Sequence, residues 1–474
     1  MNLKKGKMQN NKIFILLPDG IGLRNFAFTN FYKTGTDAGY EILFWNNTPF
    51  ELSDLGFAEI KIEKAKSHPL TDLYKNALKI VELRLSIKKS KDPIYQSYYF
   101  SPKISSVKSF LKTVYTQSIT FFNTSNRGSQ RIRAKIAQLE RKTKLYHDSL
   151  ETLQKEKPAF VFCTNQRVML GVAPLLAAQD LGIPTASFIF SWDNLPKGTK
   201  IIETDFYFVW SQHMKEELLY YYPHVRENQI IITGTPQFEP HFDWDKLQTK
   251  TEFCKNHHLE QDKTYFCFSG DDVTTSPNDP TYLEDAAKAV RNLNQKGYNL
   301  GIIFRRCPVD FSKRYDSVLT QYADCITAIA PKWIKKAESW NTILPTKADL
   351  ELQVNTINAT DFVINLGSSM VFDYVIFKKP CAFINYDVPN GLPARLVKDT
   401  YSLIHFRSMT SRDCVAWINS PEEMETIITS LLTQNNDRLV SNASLWFEKI
   451  NQHPPQNASV RIWEAITNLI SPTS

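Results

Sequence analysis

The richest chemistry in the chain lies in DFVINLGSSMVFDYVIFKKPCAFINYD, residues 361–387, where an apolar run ends in Gly367-Ser368-Ser369 and a helical pattern follows. Glycine lets a backbone approach a ligand closely. The amides and hydroxyls of Ser368 and Ser369 can hold anionic oxygens at the positive end of a helix dipole, which makes a phosphate cradle without a lysine. An ordinary serine N-cap accounts for Ser368 as well. A second apolar run, 300–304, delivers Arg305 and Arg306 to its end; a guanidinium pairs bidentately with phosphate, so the two features together favour the anion. Near the start, 12–17 runs into Pro18-Asp19-Gly20-Ile21-Gly22-Leu23-Arg24-Asn25. Only Gly20 and Gly22 fit a GxGxxG pattern, so this is a weak dinucleotide signature. As a loop it brings amides and the Asp19 carboxylate to a strand edge. The run 185–192 ends likewise in Trp192, Asp193 and Asn194, ahead of Pro196.

Something must hold these loops side by side. Apolar runs rich in aromatic and β-branched residues read as buried parallel strands. In the first half they fall at 12–17, 40–45, 159–163, 185–192, 206–210 and 229–233, with helices from about 25, at 130–155, 168–181 and 212–222, the last opened by Ser211. Pro236 cannot donate a ladder hydrogen bond, so the first sheet is expected to close at Gly234-Thr235-Pro236. The second half restarts at 263–269, closed by Ser269-Gly270-Asp271-Asp272. Strand-like segments follow at 300–304, 324–328, 340–344, 361–365 and 381–385, with helices at 280–296, 347–358, 370–377, 421–433, 439–451 and 459–470. This is the α/β rhythm, and open α/β sheets place ligands where strands end in polar loops. The expected division is a first Rossmann-like domain over 1–238, a linker at 239–262, a second over 263–450, and a final helix in 451–474 packing back on the first.

A chain of 474 residues suits two such domains, and its 42% hydrophobic and 12% aromatic content is globular. No apolar run approaches the roughly 20 residues that span a bilayer. The N-terminal apolar stretch is only five residues long, Ile13 to Leu17, before Pro18 and Asp19, which does not suit a signal peptide; a cytoplasmic location is expected. Seven cysteines without a CxxC pair read as reduced thiols, and the nine histidines show no metal spacing, so no bound metal is expected. Charge is uneven. Residues 84–144 hold 14 Lys or Arg against Asp92 and Glu140, a local +12 in a chain of +7, which leaves −5 for the rest. Tyr95, Tyr98, Tyr99, Phe100, Phe110, Tyr115, Phe121 and Phe122 interleave with them. The segment reads as a solvated, partly helical insertion or as a surface for an anionic membrane at the inner face of the cell. Nucleic-acid binding suits the same composition, but no recognisable motif accompanies it and no such partner is expected.

SWDNLPKG, VWSQHMKEEL, ITGTPQFE and INLGSSMVFDYVIFKKPCAFINYD together resemble bacterial GT-B glycosyltransferases of surface-polysaccharide synthesis. The last segment is also similar to its counterpart in CDP-glycerol glycerophosphotransferases, where an acidic residue, a Ser-Ser turn and a Phe-Asp pair follow in similar order. The resemblance covers about 158–387 and the first strand and loop; the basic insertion has no counterpart. It implies two Rossmann-like domains facing across a cleft, a glycan acceptor held by the N-terminal half, a nucleotide-sugar co-substrate in the C-terminal half, and no bound cofactor. Such transfer needs cations and dipoles at the leaving phosphate, a role that suits Arg305, Gly367, Ser368 and Ser369, and a carboxylate at the acceptor, which suits Asp19 with Asp193 in reserve. Gly20, Arg24, Trp192, Asn194, Gly270, Glu351, Asp373 and Asp387 are the further candidates for donor or acceptor contacts. Transfer of a polyol phosphate from a CDP-activated donor uses the same fold, and a binding protein on a decayed transferase scaffold is the reading from another class.

Overall fold

A computed structural model describes residues 10–99, 104–336, 342–392 and 395–471. Of the sequence features above, Phe100, Lys103 and residues 340 and 341 of the expected segment at 340–344 lie outside the described residues. The chain forms two compact units. One comprises Met1–Gln237, Lys335–Leu344 and Ile450–Ser474; the other comprises Phe238–Ile334 and Pro345–Lys449.

The first unit is a seven-stranded parallel sheet: β1 (Lys12–Leu17), β2 (Glu41–Asn46), β3 (Glu59–Lys61), β4 (Phe160–Cys163), β5 (Thr185–Phe188), β6 (Phe206–Val209) and β7 (Ile230–Ile232), in the order β3-β2-β1-β4-β5-β6-β7. In β1 every residue after Lys12 is buried, as a strand covered on both faces requires. Its neighbours pair in register from Ile13↔Ile42 on one side and Ile13↔Phe160 on the other. Helices α1 (Ile21–Phe26), α2 (Asn30–Asp37), α3 (Thr71–Ser90), α4 (Val107–Asn123), α5 (Asn126–Glu140), α6 (Lys144–Glu156), α7 (Val172–Asp180) and α8 (Gln212–Tyr221) connect the strands. Phe14 and Leu16 pack with Ala77, Leu78 and Val81 of α3, Ile132 and Ile136 of α5, and α7. Phe26 meets Phe31, Phe162 and Phe188 edge to face with centroids 5.0, 5.3 and 5.1 Å away, and Phe31 stacks on Phe162 at 6.0 Å. The basic segment is therefore only partly an insertion, since α5 supplies core residues. The single helix expected at 130–155 is two, broken where Thr143 caps α6 by accepting from the Tyr146 amide.

The second unit repeats the plan with β8 (Thr264–Ser269), β9 (Leu300–Arg305), β10 (Ile326–Ala328), β11 (Val363–Asn365), β12 (Cys381–Ile384) and β13 (Ala416–Ile418), in the order β10-β9-β8-β11-β12-β13. Its helices are α9 (Lys250–Asn256), α10 (Asp279–Gln295), α11 (Asp316–Gln321), α12 (Lys347–Ala359), α13 (Met370–Ile376), α14 (Val397–Thr400), α15 (Met424–Thr433) and α16 (Asp437–Ile450). Tyr282, Leu283, Ala286 and Val290 of α10 join Met424 and Ile428 of α15 over Phe266, Phe268 and Ile302. The stretch 239–262, expected as a linker, is structured: Phe253 and Cys254 of α9 are buried against Tyr265 and Ile303. The last helix, α17 (Ala458–Ile470), belongs to the first unit, where Trp463 stacks on Phe31 and Tyr40 with centroids 4.9 and 4.8 Å away and donates to the Phe31 carbonyl.

Both sheets follow the 3-2-1-4-5-6 order, and in both the connections reverse direction beside the first strand. Ligands of such sheets sit outside the carboxyl ends of the strands at that reversal. The reversal lies between β1 and β4 in the first unit and between β8 and β11 in the second.

Candidate functional site

In the first unit the reversal brings the loop after β1 beside the loop after β4. Asp19 is buried there; Asn165 Nδ2 donates to its Oδ2 at 2.8 Å, and the Ile21 amide donates to its Oδ1 at 3.2 Å. Burial raises the pKa of this carboxyl, against the opposing pull of those two hydrogen bonds and of the Arg167 charge. Gly20 has no room for a side chain, since a Cβ would meet the Ile343 carbonyl oxygen at 2.8 Å. Arg24 sits half-buried on α1.

The loop after β5 is tied in by the next residue along. Gln166 Nε2 donates to Asn194 Oδ1 at 3.0 Å, and Gln166 Oε1 accepts from the Phe190 amide at 2.8 Å. Asn194 in turn donates to Asp193 Oδ1 at 2.7 Å, and Asp193 pairs with Lys197. Asp193 is thus neutralised within its own turn, whereas among the described residues Asp19 has no lysine or arginine paired to it. Trp192 is buried. Sequence reading passed over Asn165 and Gln166 as chemistry, although the TNQR loop directly after a buried strand was their signal. They join Asp19, Gly20 and Asn194 into one edge.

In the second unit Gly367 follows β11 with φ +66, a conformation suited to glycine, and a Cβ there would meet Phe406 Cζ at 2.9 Å. The turn aims the chain into α13. The Ser368 amide is already taken by Asn365 Oδ1 at 2.8 Å, and the Ser368 hydroxyl accepts from the Met370 amide at 3.3 Å. Ser369 is exposed as the residue preceding α13 and makes no side-chain cap. Across the reversal, Gly270 lies within 3.1 Å of Tyr315, Asp279 and Phe304 atoms by its missing Cβ. Next to it the Asp271 carboxyl is pushed up to about 8, by burial first and then by the charges of Asp279 and Asp272. A pocket of about 250 Å³ opens between the loops after β8, β11 and β12, lined by Thr275, Asn278, Tyr282, Leu366, Asp387 and Arg395 among others. Asp387 also accepts from the Val397 amide at 2.8 Å, which fixes the pocket wall.

The remaining candidates are placed elsewhere. Arg305 is buried, and its Nη2 lies 2.8 Å from both oxygens of Asp349. Asp349 also accepts from the Lys332 amide at 2.8 Å and from Trp333 Nε1 at 2.7 Å. The arginine expected to meet a phosphate is committed to this pair through Nη2, and among the described residues its buried Nη1 has no partner. Arg306 donates to the Ser312 carbonyl at 3.1 Å. Asp373 is buried with Oδ1 2.9 Å from His241 Nε2, and Glu351 is exposed on α12; neither lines the 250 Å³ pocket. Among the described residues no group of three or more His, Cys, Asp or Glu side chains is arranged to hold a metal ion, and no helix is long and apolar enough to cross a membrane.

No family model and no curated protein matches the chain. Solved structures do. A glycosyltransferase from Rickettsia africae aligns with a TM-score of 0.52 at 11% identity, covering 98% of this chain and 100% of its own. A UDP-N-acetylglucosamine 2-epimerase aligns at 0.52 and 10% identity, over 97% of this chain and 95% of its own. The S. aureus protein MnaA, in its structure with UDP, aligns at 0.50 and 12% identity, over 97% of each chain. The fold is two parallel-sheet α/β domains of the GT-B type, as the resemblance implied. At such identities the likeness defines the fold class.

Proposed function

We propose that this chain is a GT-B glycosyltransferase that moves a sugar from a nucleotide-activated donor to a glycan acceptor in cell-surface polysaccharide synthesis at the cytoplasmic side of the membrane. The observation that carries the donor half is the second unit's reversal edge. There Gly367, Ser369, Gly270 and a pocket of about 250 Å³ lie together at the carboxyl ends of β8 and β11. The exposed Ser369 hydroxyl and the start of α13 take the diphosphate, and the pocket beside Asn278 and Asp387 takes the nucleoside. Arg305 acts from behind, holding the loop that carries Trp333 and α12.

In the first unit Asp19 serves as the base. The acceptor oxygen attacks the anomeric carbon, its proton passes to Asp19, the bond from that carbon to the phosphate oxygen breaks, and the electron pair leaves on the nucleoside diphosphate. A carboxyl raised by burial is better matched to this task than an exposed one. The fold neighbours include proteins named for UDP or a UDP-sugar, so a UDP-sugar is the first donor to test. Transfer of a polyol phosphate from a CDP-activated donor, or epimerisation of a UDP-sugar, would begin with the same nucleotide-binding step.

The test is a thermal-shift screen against UDP, GDP, CDP, CMP, dTDP and ADP, with Ser369→Ala alongside. A ligand at 100-fold saturation stabilises the native state by about 2.7 kcal/mol. A shift with one diphosphate, reduced in Ser369→Ala, supports the reading. Among these, a shift confined to CMP or CDP is the exception and favours the polyol phosphotransferase, and a product formed from the UDP-sugar without an acceptor favours the epimerase. No shift with any nucleotide would leave the transferase without its donor site.

A further inference from the structure

Helix α4 is built the wrong way round for a helix on the surface of a globular domain. Its buried residues are Thr116, Ile119 and Thr120, whereas Val107, Phe110, Leu111, Val114, Phe121 and Phe122 are exposed. Spacings of three, four and seven put the exposed set on one face of the helix, as an apolar stripe that Ser118 interrupts between Val114 and Phe121. Val107, Phe121 and Phe122 are 76%, 76% and 77% exposed. Isolated surface hydrophobes are ordinary, but a stripe of this length on one helix marks an interaction surface.

The charges around the stripe identify what meets it. Lys108 and Lys112 lie on the same helix, and both are exposed. The turn after Phe122 leads directly to Arg127 and Arg131 of α5. With Lys88 and Lys89 of α3 they line a groove of about 990 Å³, walled on its other side by Tyr220 and Tyr221. Among the described residues Lys88, Arg127, Arg131, Lys108 and Lys112 have no acidic partner. Of the two acids in 84–144, Glu140 is buried and accepts from Thr71 Oγ1 at 2.5 Å, which leaves Asp92. Glu82 also lines the groove, but its carboxylate is paired with Arg133. An apolar stripe bordered by cations without acidic partners suits a surface that is apolar below and negatively charged above. A second copy of this chain would bring one cationic patch against another.

We propose that α4 lies in the headgroup layer of an anionic bilayer, with Phe110, Phe121 and Phe122 inserted among the acyl chains and the groove at Lys88, Arg127 and Arg131 holding lipid phosphates. One apolar helix face gives weak, reversible attachment, and neighbouring cations strengthen it through the negative surface potential of the membrane. The protein is thereby a peripheral, salt-sensitive membrane binder through the first unit. The inference stands apart from the nucleotide reading, because no residue of the stripe or groove lies at either reversal edge.

Sedimentation of the full chain with vesicles tests it. With phosphatidylcholine vesicles containing about 30% phosphatidylglycerol the protein pellets, and with pure phosphatidylcholine it binds at least about tenfold more weakly. Phe121→Ser with Phe122→Ser lowers binding to the anionic vesicles about tenfold. Lys108→Glu with Lys112→Glu, and separately Arg127→Glu with Arg131→Glu, lower it and flatten its dependence on salt. The nucleotide thermal shift of these variants equals that of the parent, so failure here and failure of the donor assignment are distinct results. If the parent chain stays in the supernatant with anionic vesicles, or the double phenylalanine variant binds them as well as the parent, the proposal is wrong. It is equally wrong if that variant changes the oligomeric state while vesicle binding is unaltered, which would make the stripe a contact between copies of the chain.

Discussion

Asn165 Nδ2 donates to Asp19 Oδ2 across 2.8 Å, and each residue lies two positions past the end of its strand, β4 and β1, at the reversal of the first sheet. This bond holds the carboxylate still and favours its charged form, while burial favours the neutral one. Asp19→Asn keeps the shape and removes the base, so turnover is expected to fall about 10²- to 10⁴-fold with donor affinity unchanged. Asn165→Leu removes a bond that lowers the Asp19 pKa, so the acidic limb of the pH–rate profile moves to higher pH. Steady-state rates across pH for both variants check this. A limb that stays in place in Asn165→Leu would detach Asp19 from the chemistry.

Local signals in the sequence carried the strands and their turns well. The turn at Gly367 was legible as a strand running straight into a helix, and the structure supplies the reason for glycine there, a φ of +66 within two residues of the strand end. The commitments of Arg305 and Ser368 were not legible. Arg305 is taken by Asp349, 44 residues on, and nothing in either neighbourhood marks the pairing. Asn365 captures the Ser368 amide through a side chain that reads as one more strand-end polar residue. Strand β13 is three residues long, Ala416-Trp417-Ile418, too short for a period to register. The basic segment read as a single feature, although tertiary packing divides it into α5, which covers the sheet, and α4, which turns its apolar side outward.

Because Arg305 is buried and paired, its replacement is expected to act on stability before it acts on binding. Among the described residues, Arg305→Ala leaves Asp349 with the Lys332 amide and the Trp333 ring N–H as donors. Breaking one side of a buried pair costs about 3–5 kcal/mol, whereas replacing both partners by apolar residues of similar volume costs far less. Denaturant unfolding should therefore show Arg305→Met with Asp349→Leu to be more stable than Arg305→Ala. If the single variant unfolds at the parent midpoint, the pair contributes nothing to the fold.

Asp271 gives the second unit a pH signature. Its carboxyl is held protonated up to about 8, chiefly by burial, whereas in the unfolded chain it ionises near the usual value of about 4. Between those limits the folded state binds the extra proton, so this group makes the fold less stable as pH rises through the window. Asp271→Asn carries no such liability. The difference in melting temperature between variant and parent should be small near pH 4 and should grow in favour of the variant up to about pH 8. A difference that does not change with pH would mean that Asp271 is charged in the fold throughout.

Lys379 closes the far end of α12, whose first turn carries Asp349. Its Nζ donates to the carbonyls of Ile357, Asn358 and Thr360 at 2.9, 2.7 and 2.6 Å, acceptors at and just past the end of α12, of which Ile357 also accepts from the Thr360 hydroxyl. Burial lowers the pKa of this ammonium to about 8, so the hydrogen bonds are made against a desolvation cost. Lys379→Met keeps most of the stem and removes every donor. It is expected to destabilise the second unit by about 1–3 kcal/mol, the usual cost of stranding buried carbonyls. Amide exchange at the end of α12 should rise in step.

Gly367 combines two constraints that substitution can separate. Its φ of +66 disfavours any side chain, and an added Cβ would stand 2.9 Å from Phe406 Cζ. Gly367→Ala is expected to cost about 1–3 kcal/mol from backbone strain together with the clash. Phe406→Leu, which removes the ring, should lessen the clash and leave the strain. In a double-mutant cycle the two changes therefore couple, with Gly367→Ala costing less in the Phe406→Leu background than in the parent. Urea unfolding of the four proteins measures that coupling. If it is zero, the glycine is required by conformation alone. The turn could then accept Asn, which tolerates positive φ better than other residues with a side chain. If the coupling is large, the ring of Phe406 sets how closely the strand end passes beneath the helix that starts at Met370, and nucleotide affinity should follow the same order as stability across the four.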